Sequence, residues 1–235
     1  MPEPSALSTG FAELEAGPTV RVRVWDLPTR LFHWALAVAV LVQVATGLNG
    51  AMEWHFRCGY VVLALLCFRL IWGFVGGHWS RFGRLFHPPS AYRAYLRGES
   101  PADHRVGHSP LGSLSVAAML LMLVLQVVSG LISDDEIAAA GPLTRFVSND
   151  TVSLASAWHA AAGAWVIPAL LLMHLVAIVF YLLRRQVLVR PMLTGDKLLS
   201  FLAMPSRDTI ATRLLALFIF AGCAGFAYWI STLRA

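Results

Sequence analysis

Five apolar stretches, each close to the length needed to cross a bilayer, constrain this chain more than any other feature. We place them at about residues 31–48, 54–74, 111–132, 155–183 and 211–233. A helix needs about 20 mainly apolar residues to span the hydrocarbon core. The chain has 235 residues, of which 57% are hydrophobic and 13% charged, and this balance excludes an ordinary soluble enzyme. The sequence therefore predicts an all-α integral membrane protein.

The five stretches predict a four-helix bundle followed by one additional C-terminal transmembrane helix. The bundle takes up residues 21–198, and the additional helix lies within residues 199–235. Residues 1–20 are polar and contain Pro and Gly, without the pattern of a signal peptide. We expect them to form a mobile tail that is not cleaved. Residues 92–97, which carry two tyrosines, favour a short helix at the membrane surface.

The basic residues lie almost entirely on one side of the predicted helices. Of 18 Arg and Lys residues, 14 fall on the side of the N-terminus, and two, Arg145 and Arg234, fall on the other. Because short basic loops stay in the cytoplasm, we expect a cytoplasmic N-terminus and a periplasmic C-terminus in a bacterial inner membrane. The net charge of +5 then reflects topology and not nucleic-acid binding. The periplasmic loop is acidic, with Asp134, Asp135, Glu136 and Asp150.

Eight histidines are the second unusual feature of so apolar a chain. Four lie in the predicted cytoplasmic loop, where we interpret them as solvated: His78, His87, His104 and His108. The other four lie within spans, where an ionisable side chain is costly and indicates function. They are His33 in the first span, His55 in the second, and His159 and His174 in the fourth.

The predicted depth of these four histidines in the membrane divides them into two pairs. His159 and His174 are 15 residues apart, which is about 22 Å along a helix and about 60° of rotation, so both can face one bundle interior. The cytoplasmic level then holds His33 and His174, and the periplasmic level holds His55 and His159. Two histidines from different helices at one depth are what axial ligation of a haem iron requires, so the pattern predicts two haem groups.

Small and basic neighbours favour a flat macrocycle at these levels. Gly59 and Gly163 each follow a histidine by one helical turn, and Gly47 lies at the periplasmic level of the first span. The alternative is that these glycines only allow close helix packing. Arg57 and Arg69 in the second span are candidate partners for haem propionates. Arg57 could instead extend to the membrane interface.

A short segment is repeated at the periplasmic ends of the first and third spans. It reads Gln-Val-Ala-Thr-Gly-Leu from Gln43 and Gln-Val-Val-Ser-Gly-Leu from Gln126. Two explanations stay open: an old helix-pair repeat, or similar demands on two helices that flank one haem. We favour the second, because the rest of the two spans does not align.

Other chemistries have no support in the sequence. There is no Cys-x-x-Cys-His motif for covalent haem, and Cys58, Cys67 and Cys223 occur singly as small apolar residues. There is also no phosphate-binding loop, dinucleotide fingerprint or His-Glu-x-x-His motif. The histidine pairs are the one candidate for chemistry.

These residues resemble the prokaryotic cytochrome b561 family, which shares a superfamily with the b-type cytochrome subunits of nickel-iron hydrogenases. The resemblance covers about residues 22–198. It rests on segments 24–28 (Val-Trp-Asp-Leu-Pro), 30–34 (Arg-Leu-Phe-His-Trp), 55–59, 69–72 (Arg-Leu-Ile-Trp), 107–112 (Gly-His-Ser-Pro-Leu-Gly) and 189–195. It implies that residues 21–198 form a di-haem cytochrome b domain. His33 and His174 would bind the cytoplasmic-side haem b, and His55 and His159 the periplasmic-side haem b.

The chain departs from the family in two respects. The spacing between His159 and His174 is one residue longer than is usual, and we expect a bulge or kink at Pro168 to absorb the extra residue. The family also needs only four spans, so the resemblance assigns no role to the fifth.

The resemblance implies electron transfer between the quinone pool of a respiratory chain and a periplasmic redox protein. The acidic loop favours a basic c-type cytochrome as that partner, and short outer loops make a hydrogenase a weaker candidate. One alternative is an enzyme similar to superoxide oxidase, although an acidic face does not favour an anionic substrate. Another is a transporter that carries a non-haem metal between the histidine pairs. We assign no catalytic residue.

Overall fold

A computed structural model describes residues 19–99, 101, 104 and 106–233. Most of the predicted tail, residues 1–18, lies outside the described residues, as do Arg105 and Arg234. The elements follow in the order β1 (Val20–Arg23), α1 (Leu27–Leu48), α2 (Met52–Val75), α3 (Pro89–Leu96), α4 (Pro110–Leu131), α5 (Asn149–Ala157), a π-helical turn (Trp158–Gly163), α6 (Ala164–Leu183), α7 (Val189–Thr194), β2 (Asp196–Leu199) and α8 (Ile210–Thr232).

Within the described residues, five helical stretches are long and apolar enough to cross a membrane: α1, α2, α4, the continuous run Asn149–Leu183 and α8. They confirm the predicted helical membrane bundle with one additional helix. Two stretches begin earlier than the apolar pattern indicated, because polar residues cap them. Asp26 accepts a hydrogen bond from the backbone N–H of Thr29, and Ser148 accepts one from that of Thr151.

Helix α2 is the centre of the bundle. Half of its apolar window is buried, against 6–22% for the other four spans. It packs against α1, α4 and α8, and its Leu66, Phe68 and Trp72 join the main hydrophobic core. Small residues of α8, including Ala216 and Cys223, are buried in the bundle and allow close approach.

A two-stranded sheet, which the sequence did not predict, closes one end of the bundle. Strand β1 pairs antiparallel with β2, from Val20 opposite Leu199 to Arg23 opposite Asp196. Gly195, with φ of 89°, places its carbonyl where it accepts from the N–H groups of Val24 and Trp25. Strands of four residues are too short to leave a clear alternating pattern. We call this end the basic end and the end that holds residues 132–148 the acidic end.

Ion pairs tie the sheet to the start of α8. Asp196 contacts Arg21 and Arg23, and Asp208 contacts Arg23 at 2.8 Å and Arg213 at 2.8 Å. Burial alone would raise the pKa of Asp208, but the hydrogen bond from Arg213 and the charges of both arginines bring it below its usual value. The carboxylate therefore stays ionised and joins β1 to the start of α8.

Asp26 connects the segments below the sheet. It has no exposed surface, and it accepts hydrogen bonds from Thr29 N at 2.8 Å, Trp72 Nε1 at 3.1 Å and Ser80 Oγ at 2.7 Å. Gly77 lies so close that an added methyl group would collide with Asp26 Oδ2. One carboxylate thus joins the start of α1 to the end of α2 and the turn that follows.

We predict that Asp26→Asn destabilises the protein by about 1–3 kcal/mol, because one amide oxygen cannot accept from three buried donors. Thermal unfolding in detergent measures the change. Glu99→Gln is the matched control, since Glu99 is exposed near the same end, and we expect it to unfold as the wild type does. Equal unfolding temperatures for the two variants would contradict this role of Asp26.

Candidate functional site

His55 and His159 face each other at the acidic end. Their ring centroids are 6.0 Å apart, with the ring planes at 82°. A metal–nitrogen bond of about 2 Å on each side, together with the two ring radii, places the centres of two opposed imidazole ligands about 6 Å apart. The spacing therefore fits two ligands of one iron.

Backbone carbonyl groups hold both rings. His55 Nδ1 lies 3.1 Å from the carbonyl oxygen of Gln43, and His159 Nδ1 lies 2.9 Å from that of Gln126. A neutral imidazole that donates from Nδ1 keeps a lone pair on Nε2. Metal-binding histidines are normally oriented by such a hydrogen bond.

Glycines enclose this pair. A Cβ added at Gly47 would lie 3.2 Å from His55 Cε1, and one added at Gly130 would lie 2.6 Å from His159 Cε1. Gly59 and Gly163 instead face the side-chain amides of Gln43 and Gln126. Of the three predicted glycines, Gly47 adjoins a ring of the pair, whereas Gly59 and Gly163 adjoin the glutamines whose carbonyls hold the rings. We did not assign Gly130 to the site, although its place in the repeated segment was the available signal.

The extra residue between His159 and His174 is absorbed at His159 itself. Residues Trp158–Gly163 form a π-helical turn, whereas helix α6 continues through Pro168. The expected irregularity therefore lies not at Pro168 but in the turn Trp158–Gly163, which ends five residues before it. One residue taken up in a wide turn removes about 100° of rotation and leaves the two histidines about 40° apart.

His33 and His174 lie at the basic end, on α1 and α6. Both are partly buried, and they are close enough to interact electrostatically. His33 Nδ1 is buried and has no hydrogen-bond partner among the described residues. A buried imidazole nitrogen in this state is available to a metal.

Arg69 is the buried cation at the basic-end level. It is 5% exposed and lies over the ring of Phe82, 4.8 Å from the centroid. Gly73 leaves the space that this ring fills. Asp26 lies within electrostatic reach, yet Nη1 of Arg69 has no hydrogen-bond partner within the described parts of the chain. This free donor suits an anionic group such as a propionate.

Arg57 is placed differently from Arg69. Its side chain is 62% exposed, pairs with Glu53 one turn earlier and lies over the ring of Trp54. Glu53 lies outside the predicted span 54–74 but within α2, because the helix begins at Met52. The geometry favours the interface position for Arg57.

His108 belongs to the basic-end level, and our interpretation of it as solvated is wrong. Its ring centroid lies 4.7 Å from that of Trp25. Its pKa is lowered to about 3, first because burial penalises the charged form and then because Arg69, His33, His87 and His174 add positive charge. His108 is therefore neutral near pH 7. The sequence feature that could have indicated this is the location of His108 in segment 107–112, one of the segments that carry the family resemblance.

His87 and His104 are also enclosed, with ring centroids 4.9 Å apart. His87 Nε2 and His104 Nδ1 are buried, and burial lowers the pKa of His87. The polar loop therefore packs over the basic end of the bundle.

Comparison with known proteins agrees with this architecture. The profile of the family described as prokaryotic cytochrome b561 matches residues 24–195. The chain belongs to this family and is a membrane b-type cytochrome, which implies haem b as its cofactor.

Relatives extend over different parts of the chain. A probable Ni/Fe-hydrogenase B-type cytochrome subunit of Azotobacter vinelandii is 29% identical and covers 47% of this chain, and the match spans 58% of that relative. The protein of that name from Bradyrhizobium diazoefficiens is 23% identical, over 83% of this chain and 94% of its own length. The probable Ni/Fe-hydrogenase 1 B-type cytochrome subunit of Escherichia coli K12 is 24% identical, over 64% and 79%.

The residues fit haem b. The acidic end has two imidazoles at ligand spacing with oriented Nδ1 atoms and glycines beside the rings. The basic end has two imidazoles and a buried guanidinium with a free donor. Uncharged nitrogen ligands and a cation for a propionate are the groups that haem b needs.

We predict that Gly130→Ala lowers the haem content, because a methyl group 2.6 Å from the His159 ring forces that ring to move. Haem per protein, measured by absorbance after purification, tests this. Gly222→Ala is the control, since no atom lies within 4 Å of the added Cβ, and it should keep full haem content. Retention of full haem by both variants would contradict the tight fit at Gly130.

Proposed function

We propose that this cytochrome holds two haem groups b, one at each end of the bundle, and passes single electrons between them. The observation that carries the proposal is the 6.0 Å separation of the His55 and His159 rings. His33 and His174 supply a second pair on the same helical framework. The proposed ligands are His55 and His159 at the acidic end, and His33 and His174 at the basic end.

The haem supplies one-electron chemistry of iron, and the chain sets the conditions for it. Four imidazoles would bind the two haem irons and orient the haem groups. Apolar side chains such as Leu66 and Phe68 exclude water from the core. Arg69 provides a positive charge at the basic end, which stabilises propionate and favours the reduced form. Gly47 provides room beside the His55 ring, and Gly59 and Gly163 provide room for the side chains of Gln43 and Gln126.

The electron partners follow from chemistry and from the relatives. A quinone is lipid-soluble and can reach a protein whose α4, α6 and α8 expose apolar side chains. All three relatives described above are named as hydrogenase cytochrome subunits, so a hydrogenase becomes a stronger candidate partner than the short loops alone suggested. The acidic Asp134–Glu136 segment still suits a basic c-type cytochrome.

The basic end faces the cytoplasm in this proposal. Described residues that place positive charge there include Arg81, Arg84, Arg93 and Arg97. Retention of short basic loops in the cytoplasm would place the acidic end in the periplasm of a bacterial inner membrane, where the redox partner binds.

We predict a pairwise loss of haem from histidine variants. His55→Ala and His159→Ala should each remove the acidic-end haem, and His33→Ala and His174→Ala the basic-end haem. Two changes at one level should cost no more haem than one, because a single iron loses its ligands. Redox titration of the b-type absorption band counts the remaining components.

His78→Ala is the control, because His78 lies in the loop outside both pairs, and it should retain both components. A b-type band that persists unchanged in the double variant His159→Ala with His174→Ala would overturn the proposal. A colourless wild-type protein would do so as well and would favour the metal-transport alternative.

Purification from native membranes tests the partner. We expect a hydrogenase to copurify and the haem to be reduced by hydrogen in that complex. Reduction by a reduced c-type cytochrome without hydrogenase would favour the second partner. Reduction of the purified protein by superoxide alone would instead identify it as an oxidoreductase of the superoxide type.

A further inference from the structure

The repeated segment of α1 and α4 makes the same two contacts to a histidine Nδ1 in both copies. In the first copy, His55 Nδ1 lies 3.1 Å from Gln43 O and 3.4 Å from Thr46 Oγ1. In the second, His159 Nδ1 lies 2.9 Å from Gln126 O and 3.3 Å from Ser129 Oγ. The glutamine carbonyl and the hydroxyl three residues later therefore bracket the same ring atom in both copies.

The glycines repeat as well. Each glutamine side chain also lies against a glycine, although its amide faces His55 Nε2 in the first copy and donates to the His159 carbonyl in the second. Gly47 and Gly130, each four residues after the glutamine, give the ring its space. The amide of Gln43 rests against Gly59, and that of Gln126 against Gly163. Gly59 and Gly163 in turn follow His55 and His159 by four residues. The match therefore extends to both helices of each pair.

The hydroxyl groups are arranged to accept from the histidines. Thr46 Oγ1 donates to the carbonyl of Val42 at 2.8 Å, and Ser129 Oγ donates to that of Gln126 at 3.0 Å. A hydroxyl has one proton, so each oxygen keeps its lone pairs for the imidazole N–H. The side-chain amide of Gln43 lies 3.2 Å from His55 Nε2, as expected if that nitrogen carries the lone pair that an iron would take in place of the amide.

We propose that Thr46 and Ser129 are paired positioning residues, which together with the carbonyls of Gln43 and Gln126 fix Nδ1 of both acidic-end histidines as a donor. Each Nε2 then keeps a lone pair, and the two Nε2 atoms would be the ligands of one iron. The basic end lacks this symmetry, because the residue of α4 that corresponds to His33 is Val116. The inference rests on the proposed haem function and adds a means by which the chain sets the properties of one haem.

The test removes the hydroxyls and keeps the rest. Thr46→Val and Ser129→Ala each delete one acceptor, which weakens electron donation from the imidazole to iron and favours the reduced state. We expect each to raise the reduced-to-oxidised ratio of the acidic-end haem roughly two- to tenfold at the wild-type midpoint potential. The low-spin electron paramagnetic resonance spectrum of that haem should shift with it, whereas the basic-end haem should be unchanged.

Two controls separate positioning from packing. The exchange Thr46→Ser with Ser129→Thr keeps both hydroxyls, so both potentials should match the wild type. Ser133→Ala removes a hydroxyl that bonds to the Gly130 carbonyl at 3.2 Å but not to a histidine, and it should also leave the potentials unchanged. If Thr46→Val does not fold, Ser129→Ala decides by itself, since it deletes a single oxygen.

Wild-type potentials for both haem groups in Thr46→Val and Ser129→Ala would overturn this inference and leave the two-haem proposal standing. A shift of similar size in Ser133→Ala would overturn it as well. A wild-type protein without two titrating haem components would instead refute the proposed function on which the inference rests.

Discussion

The buried carboxylate of Asp26 is the interaction on which the assembly of the bundle most depends. Lipid offers helices no hydrophobic reason to associate, so polar contacts and close packing decide how they meet. Asp26 receives donors from α1, from Trp72 near the end of α2 and from the turn at Ser80. Since α2 contacts α1, α4 and α8, fixing its end fixes the frame on which both histidine levels are built.

The two ends of the bundle hold their histidine rings in different ways. At the acidic end, backbone carbonyls orient both imidazoles, and glycines set their spacing. At the basic end, His33 Nδ1 has no such acceptor among the described residues, while Arg69 and neutral His108 surround the level. In the proposed function these environments give the two haem groups different potentials, because charge and hydrogen bonding both tune iron.

The features that the sequence predicted correctly are those that depend only on how deep a residue lies in the membrane. Hydropathy located five spans, and the rise per residue of a helix put His55 and His159 at one level. The exact start of a helix and the packing of the loop between α2 and α4 were not predicted. Glu53 was overlooked as the partner of Arg57 because hydropathy marks the apolar part of a helix and not its capped start. His108 was interpreted as solvated because its location in a loop does not show that the loop packs against the bundle.

The sequence by itself determined the membrane class, the number of spans and the approximate levels of the four histidines, since each follows from the length and polarity of single helices. Only the tertiary structure decided that His55 and His159 stand 6.0 Å apart, that a π-helical turn at Trp158–Gly163 carries the extra residue, and that a two-stranded sheet joins residues near 20 and 199. These features depend on contacts between segments far apart in the chain, and hydropathy along one segment contains no information about its neighbours.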